Sequence, residues 1–217
     1  MQENIYAVIS GELANARKIS QEHLGKIPDI IRDSFREVNK HRERFQRMDY
    51  EIIRMDEFIC ITDRPVSSLH TMIMLASDFR LRTYNELKIR ADLRLSIGVG
   101  PVELLKKALR ESDGTAFRFA ADGLEAMKRN QRLIIKTQDP TKNKEFEVEC
   151  GFMDILIHDW SDEQAEALFM SLSGKNQTEI SDDLHISQPA VNRRLKAAHA
   201  DAIEKFILRY EALIKSD

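Results

Sequence analysis

Two groups of residues in this 217-residue chain have the types and spacing to do chemistry. The first is acidic. Glu12 closes the apolar run at 5–9, and Asp56 and Glu57 stand together in a short connection between two strand-like segments. Carboxylate oxygens brought together suit Mg²⁺ or Mn²⁺, and such an ion would in turn hold a nucleoside triphosphate. The second group is Gln188, Asn192, Arg193, Arg194 and Lys196, within QTEISDDLHISQPAVNRRLK at 177–196. Amides and guanidinium forks at the start of a helix reach base edges in a major groove or hold phosphates, so DNA is the expected partner. The six histidines show no ligand spacing, and no Cys–His or Ser–His pair marks a nucleophile. No catalytic residue is assigned.

The second group needs two helices to present it. Ile180 and Leu184 sit four apart on a first helix, Ile186 fills the turn, and Val191 and Leu195 sit four apart on a second. Ser181 is small where the helices cross, Ser187 is a natural N-cap, and Pro189 falls in the first turn, where a missing N–H costs little. His185 occupies the turn position that favours glycine, because φ there is positive. This pattern reads as a helix-turn-helix. Residues 153–217 hold seven Lys/Arg against twelve Asp/Glu, a net of −5, so one copy is expected to grip DNA weakly. A homodimer would double the contacts.

The acidic group needs a sheet. Residues 5–9 form a buried strand, and Ser20 caps a helix to about 39 through Leu24, Ile27, Ile31, Phe35 and Val38. Pro28 kinks that helix or marks its true start. Strands follow at 50–54 and 58–62, a helix at 67–84, and an alternating strand at 93–99 that Gly98, Gly100 and Pro101 should end. A helix at 117–128 and a strand at 133–137 come next, then a turn at 138–143 and a hairpin partner at 146–150. This order predicts an α+β fold, a ferredoxin-like palm over 1–151. In a palm the end of the first strand and the first hairpin turn lie side by side, which brings Glu12 to Asp56 and Glu57. An all-α domain is expected over 152–217, with a capping box at Ser161–Gln164. Its last helix carries Ile203, Phe206, Ile207, Tyr210 and Leu213, a stripe to be buried on its own chain or on a second copy.

Composition narrows the classes. A formal net charge of −3 argues against wholesale binding to nucleic acid or a membrane surface. No apolar run approaches the ~18 residues a membrane span needs, and MQENIYAVIS has no basic n-region, so it is not read as a signal peptide. Cys60 and Cys150 sit in apolar, strand-like contexts and read as core thiols of a reducing compartment, the cytoplasm. The basic run at Arg42, Arg44 and Arg47 reads as a solvated face.

YAVISGELANARK (6–18), RMDEFICI (54–61) and LRLSIGVGP (93–101) together resemble the SatD family, which joins a cyclase-like palm to a C-terminal helix-turn-helix. The resemblance covers about the first 135 residues and the C-terminal module, and the palm is similar to those of class III nucleotide cyclases and diguanylate cyclases. It implies Glu12 and Asp56 as metal ligands. The family's first acid is Asp where this chain has Glu12, and its glycine before the hairpin acid is Met55 here. Class III cyclases hold the transition-state phosphate with an Asn and an Arg on the helix matching 117–124, where this chain has Arg118 and Asp122. An acid there repels a triphosphate, so turnover is not expected although a nucleotide ligand is. The expected function is a DNA-binding transcriptional regulator whose degenerate cyclase-like domain senses a ligand or dimerises. The alternative is a divalent-metal-dependent nucleotidyl cyclase or nucleotidyltransferase.

Overall fold

The computed structural model describes residues 4–41 and 48–215, so Arg42, Arg44 and Arg47 lie outside the described residues. Its sheet has five strands: β1 (Ile5–Leu13), β2 (Asp49–Arg54), β3 (Glu57–Thr62), β4 (Leu93–Pro101) and β5 (Leu133–Lys136), in the order β2-β3-β1-β4-β5. The first four are antiparallel and β5 runs parallel to β4. Helices α1 (Gln21–Lys40) and α2 (Ser68–Leu87) interrupt the strands to give βαββαβ, the split arrangement of a ferredoxin-like palm. Ser20 caps α1 as its sequence predicts, and Pro28 sits inside the helix instead of starting it.

Alternation along the strands decides what covers each face. Ala7, Ile9 and Leu13 of β1 join Phe58 and Cys60 of β3 and Leu93, Leu95, Ile97 and Val99 of β4 beneath α1 and α2. On the other face Val8 and Ile61 pack under Leu109 and under Phe117 of α3 (Thr115–Ala126). Gly98 and Gly100 do not end β4, which runs on to Pro101. They let α3 lie directly on the strand: a Cβ at Gly98 would come within 2.2 Å of the Ala116 carbonyl oxygen.

The expected hairpin after β5 does not form. Residues 140–159 are a single helix, α4 (Pro140–Asp159), and Cys150 lies on it and not on a strand. The Asp-Pro pair that reads as a turn is a helix start: the Asp139 carboxylate accepts the amide of Thr141 at 2.7 Å, and Pro140 takes a first-turn position. Phe146, Cys150, Met153 and Ile157 recur at helical spacing and are all buried, which is what a strand assignment of 146–150 overlooks. The expected boundary at Gly151 therefore falls in the middle of α4.

Everything after β5 is helical: α4, α5 (Asp162–Leu172), α6 (Gln177–Leu184), α7 (Gln188–Ala197) and α8 (Ala200–Lys215). The Ser161–Gln164 capping box is present. Helices α4, α5 and α8 share the palm's core, since Met153, Trp160, Leu168, Ile203 and Tyr210 belong to the cluster that contains Ala7 and Ile97. Buried polar contacts cross the same junction. Asp154 of α4 accepts the amides of Arg132 and Leu133, at 2.6 and 3.0 Å, where β5 begins. Buried Arg80 of α2 donates to Asp92 and to the Trp160 carbonyl, and the Trp160 indole donates to Ala198 at 3.2 Å. The Tyr210 hydroxyl lies 2.7 Å from Ser68 Oγ and donates to Pro65 O at 3.0 Å. Ile203, Phe206, Ile207 and Tyr210 of the α8 stripe are therefore buried on their own chain, with Leu213 partly buried. No helix among the described residues is long and apolar enough to cross a membrane.

Candidate functional site

The palm edge brings the acids to neighbouring strands, as the sequence predicts. Glu12 of β1 stands opposite Glu57 of β3 on one side and Arg94 of β4 on the other. Asp56 lies in the two-residue turn between β2 and β3, and its carbonyl accepts the Leu13 amide at 2.8 Å. The carboxylates do not form a cation cage. Glu12 is in an ion pair with Arg94, which also donates to the Met127 carbonyl, and Glu57 is paired with Arg54 across the turn. Among the described residues, no group of three or more His, Cys, Asp or Glu could hold a metal ion. The physical reason is that two guanidinium groups supply the positive charge a divalent cation would bring. An ion would have to displace charge-assisted hydrogen bonds to bind. The expected Glu12, Asp56 and Glu57 site does not fit Mg²⁺ or Mn²⁺ in this arrangement. Arg94 was legible as a polar position within LRLSIG, but its partner emerges only once β4 lies antiparallel beside β1.

Arg118 of α3 is likewise engaged within the chain. Arg118 donates to Asp113 at 2.8 Å, and to Thr115 and Glu103 at 3.2 Å. Asp122 is exposed on the same helix.

Solved structures to which this chain is similar include nucleotide cyclases. The guanylyl cyclase Cya2 matches with a TM-score of 0.45 at 10% identity, over 66% of this chain and 78% of that one. The GGEEF domain of a diguanylate cyclase from Vibrio cholerae matches with a TM-score of 0.41 at 17% identity, over 63% and 85%. The adenylyl cyclase CyaB from P. aeruginosa matches with a TM-score of 0.42 at 12% identity, over 62% and 77%. No protein-family model matches the chain, and no curated protein does.

The second candidate group lies on α6 and α7. Ile180 and Val191 are fully buried against Ala167 of α5, with Leu195 beside them and Leu184 and Ile186 packed around. The Asn176 side chain accepts from Thr178 and Glu179 at 2.9 and 3.0 Å while Glu179 accepts the Asn176 amide, a capping box that fixes where α6 starts. His185 has the left-handed conformation its position demands, with φ of 52°. The backbone of Ser187 is extended, as an N-cap requires, but its side chain makes no capping bond.

The five polar residues of α7 then divide by direction. Arg193 is exposed at the centre of the outward face. Gln188 is exposed and its amide donates to Thr178 Oγ1 of α6 at 2.9 Å, which holds the two helices in register. Arg194 turns inward to Glu166 of α5 at 3.2 Å, so it braces the bundle instead of facing solvent. Burial raises the Glu166 carboxyl above its ordinary range, with the Arg194 charge acting against it. Asn192 and Lys196 line a cavity of about 890 Å³ with Arg64 just ahead of α2, His70 in its first turn, and Glu204 and Glu211 on α8. His70 is nearly buried and its Nε2 lies 2.9 Å from the Leu172 carbonyl.

Proposed function

We propose that the chain is a DNA-binding regulator in which α6 and α7 act as a helix-turn-helix and the nucleotide-cyclase-like palm serves as the responsive domain. The observation that carries this reading is the setting of α7. It is fixed from behind by Val191 and Leu195 and turns Arg193 outward, with Gln188 at its exposed start. A helix held by its rear face and tipped with an amide and a guanidinium is the docking geometry that reads a major groove. The resemblance of 6–18, 54–61 and 93–101 to the SatD family supports the same pairing of palm and DNA reader. Within this reading Arg194 acts on the bundle through Glu166, while Asn192 and Lys196 contact DNA from the flank that borders the cavity. A small ligand in that cavity would touch both the palm, at Arg64 and His70, and α7, and so would bias the pose of the reading helix.

Metal-dependent nucleotidyl transfer is the weaker reading, because Arg94 and Arg54 hold Glu12 and Glu57, two of the three carboxylates it would use. The two readings separate in one comparison. Arg193→Ala should weaken binding to a selected DNA site by about 1–3 kcal/mol and leave the melting temperature unchanged. Release of a cyclic or dinucleotide product from ATP or GTP with Mn²⁺, lost in Asp56→Asn, would favour the enzyme instead.

A further inference from the structure

One face of α4 is apolar and bare. Val148 is 61% exposed, Phe152 66% and Ile155 59%, spaced by four and three so that they form a single stripe. Large apolar side chains aligned in this way on a soluble chain mark an interaction surface. The stripe continues into an apolar groove of about 360 Å³ between α4 and α8, where Leu156, Ala202 and Phe206 line its wall.

We infer that α4 pairs antiparallel with α4 of a second copy of this chain, about a twofold axis crossing the helix between Gly151 and Phe152. Three features of the stripe make it complementary to itself. Under that axis Val148 meets Ile155 of the second copy, so the apolar contact closes on itself. Lys144 near one end meets Asp159 at the other, and the pair is repeated by symmetry. Both are exposed, and neither forms an ion pair with another described residue. Phe152, the largest side chain of the stripe, falls opposite Gly151 of the second copy, where there is no side chain to obstruct it.

Gly151 fits the same pairing. A glycine in the interior of a helix disfavours the helix, and a Cβ at Gly151 would meet nothing within 4 Å in its own chain. Nothing inside the molecule requires it, and its bare backbone leaves room for Phe152 of the second copy. An isologous contact demands that a surface match itself under rotation, and a partner of different sequence would impose no such condition. The pairing does not depend on what α7 binds.

The test is the mass of the full chain in solution, by light scattering and sedimentation at micromolar concentrations. The wild type should give twice the 25.1 kDa chain mass. Phe152→Glu should weaken the dimer by at least roughly tenfold, since it places a charge at the centre of the contact. Lys144→Asp should also weaken it, and adding Asp159→Lys in the same chain should restore it. All three positions are exposed, and circular dichroism checks that each variant is folded. A wild type that stays monomeric, or a dimer indifferent to Phe152→Glu and to the charge exchange, overturns the inference. A monomer that instead binds an unrelated amphipathic helix on this face overturns it equally.

Discussion

At the residue scale, arginines stand where positive charge is needed. Arg94 and Arg54 neutralise Glu12 and Glu57, and Asp56 by itself makes no cation cage, so millimolar Mg²⁺ or Mn²⁺ should leave the melting temperature of the wild type unchanged. A metal-dependent increase that disappears in Asp56→Asn would contradict this. Arg94→Ala should destabilise the fold by roughly 1–3 kcal/mol in urea titrations, since it strands a half-buried carboxylate. Asp154 is the other residue whose chemistry holds the fold. Burial raises its pKa, against the lowering effect of the two amides it accepts. A carboxyl whose folded pKa lies above its unfolded value binds more protons when folded. Its contribution is therefore fully present below the unfolded value and is lost as pH rises through the folded one. Burial raises Asp78 in the same sense. Asp154→Asn keeps an oxygen for both amides but removes the ionisation, so the wild type should gain stability relative to this variant as pH falls toward the ordinary carboxylate range. Asp154→Ala leaves two buried amides without an acceptor and should cost roughly 2–4 kcal/mol at neutral pH. An alanine variant as stable as the asparagine variant would show that the amides find other partners.

At the element scale the same helix, α4, is where sequence and structure part. The strands were legible because their alternation is strict: Leu93, Leu95, Ile97 and Val99 can face one way only on a strand. The turn through His185 and the start of α7 were legible because each position carries its own backbone requirement. Residues 138–150 were not, since Asp-Pro opens a turn and a helix equally well. Phe146, Val148 and Cys150 alternate like a strand over so short a window. The helical answer shows only when the window reaches Met153 and Ile157, past the glycine that suggested a boundary. Of the candidate site, the placement of Glu12 beside the hairpin was readable, but its pairing with Arg94 was not. That contact depends on strand register, and periodicity does not encode register. Gly151→Ala gives a separate test of α4: at concentrations low enough to keep the chain monomeric, it should stabilise by up to ~1 kcal/mol through helix propensity. A loss of stability would reveal an intramolecular contact at Gly151 that the fold does not contain.

At the scale of the whole molecule, α4, α5 and α8 share one hydrophobic core with the palm, while α6 and α7 pack in a separate cluster against α5. Trp160, Arg80 and Tyr210 each bind across the junction, so the full chain should unfold in a single cooperative transition. A fragment of residues 1–151 ends inside α4 and exposes the core that Trp160 and Tyr210 cover. It should aggregate or unfold, and a well-folded 1–151 would argue for two independent units. A ligand in the palm-facing cavity would touch α7 directly, because Arg64 and Asn192 line the same space. The central claim remains that α7 reads DNA. Its most direct test is to pass the full chain over a library of genomic fragments at low salt, recover what is retained, and measure the affinity of the best fragment for the wild type and for Arg193→Ala. The account predicts selective retention of a recurrent sequence, weakened about tenfold or more by Arg193→Ala with the fold intact. Retention of no fragment, or binding that Arg193→Ala leaves unchanged, would contradict it.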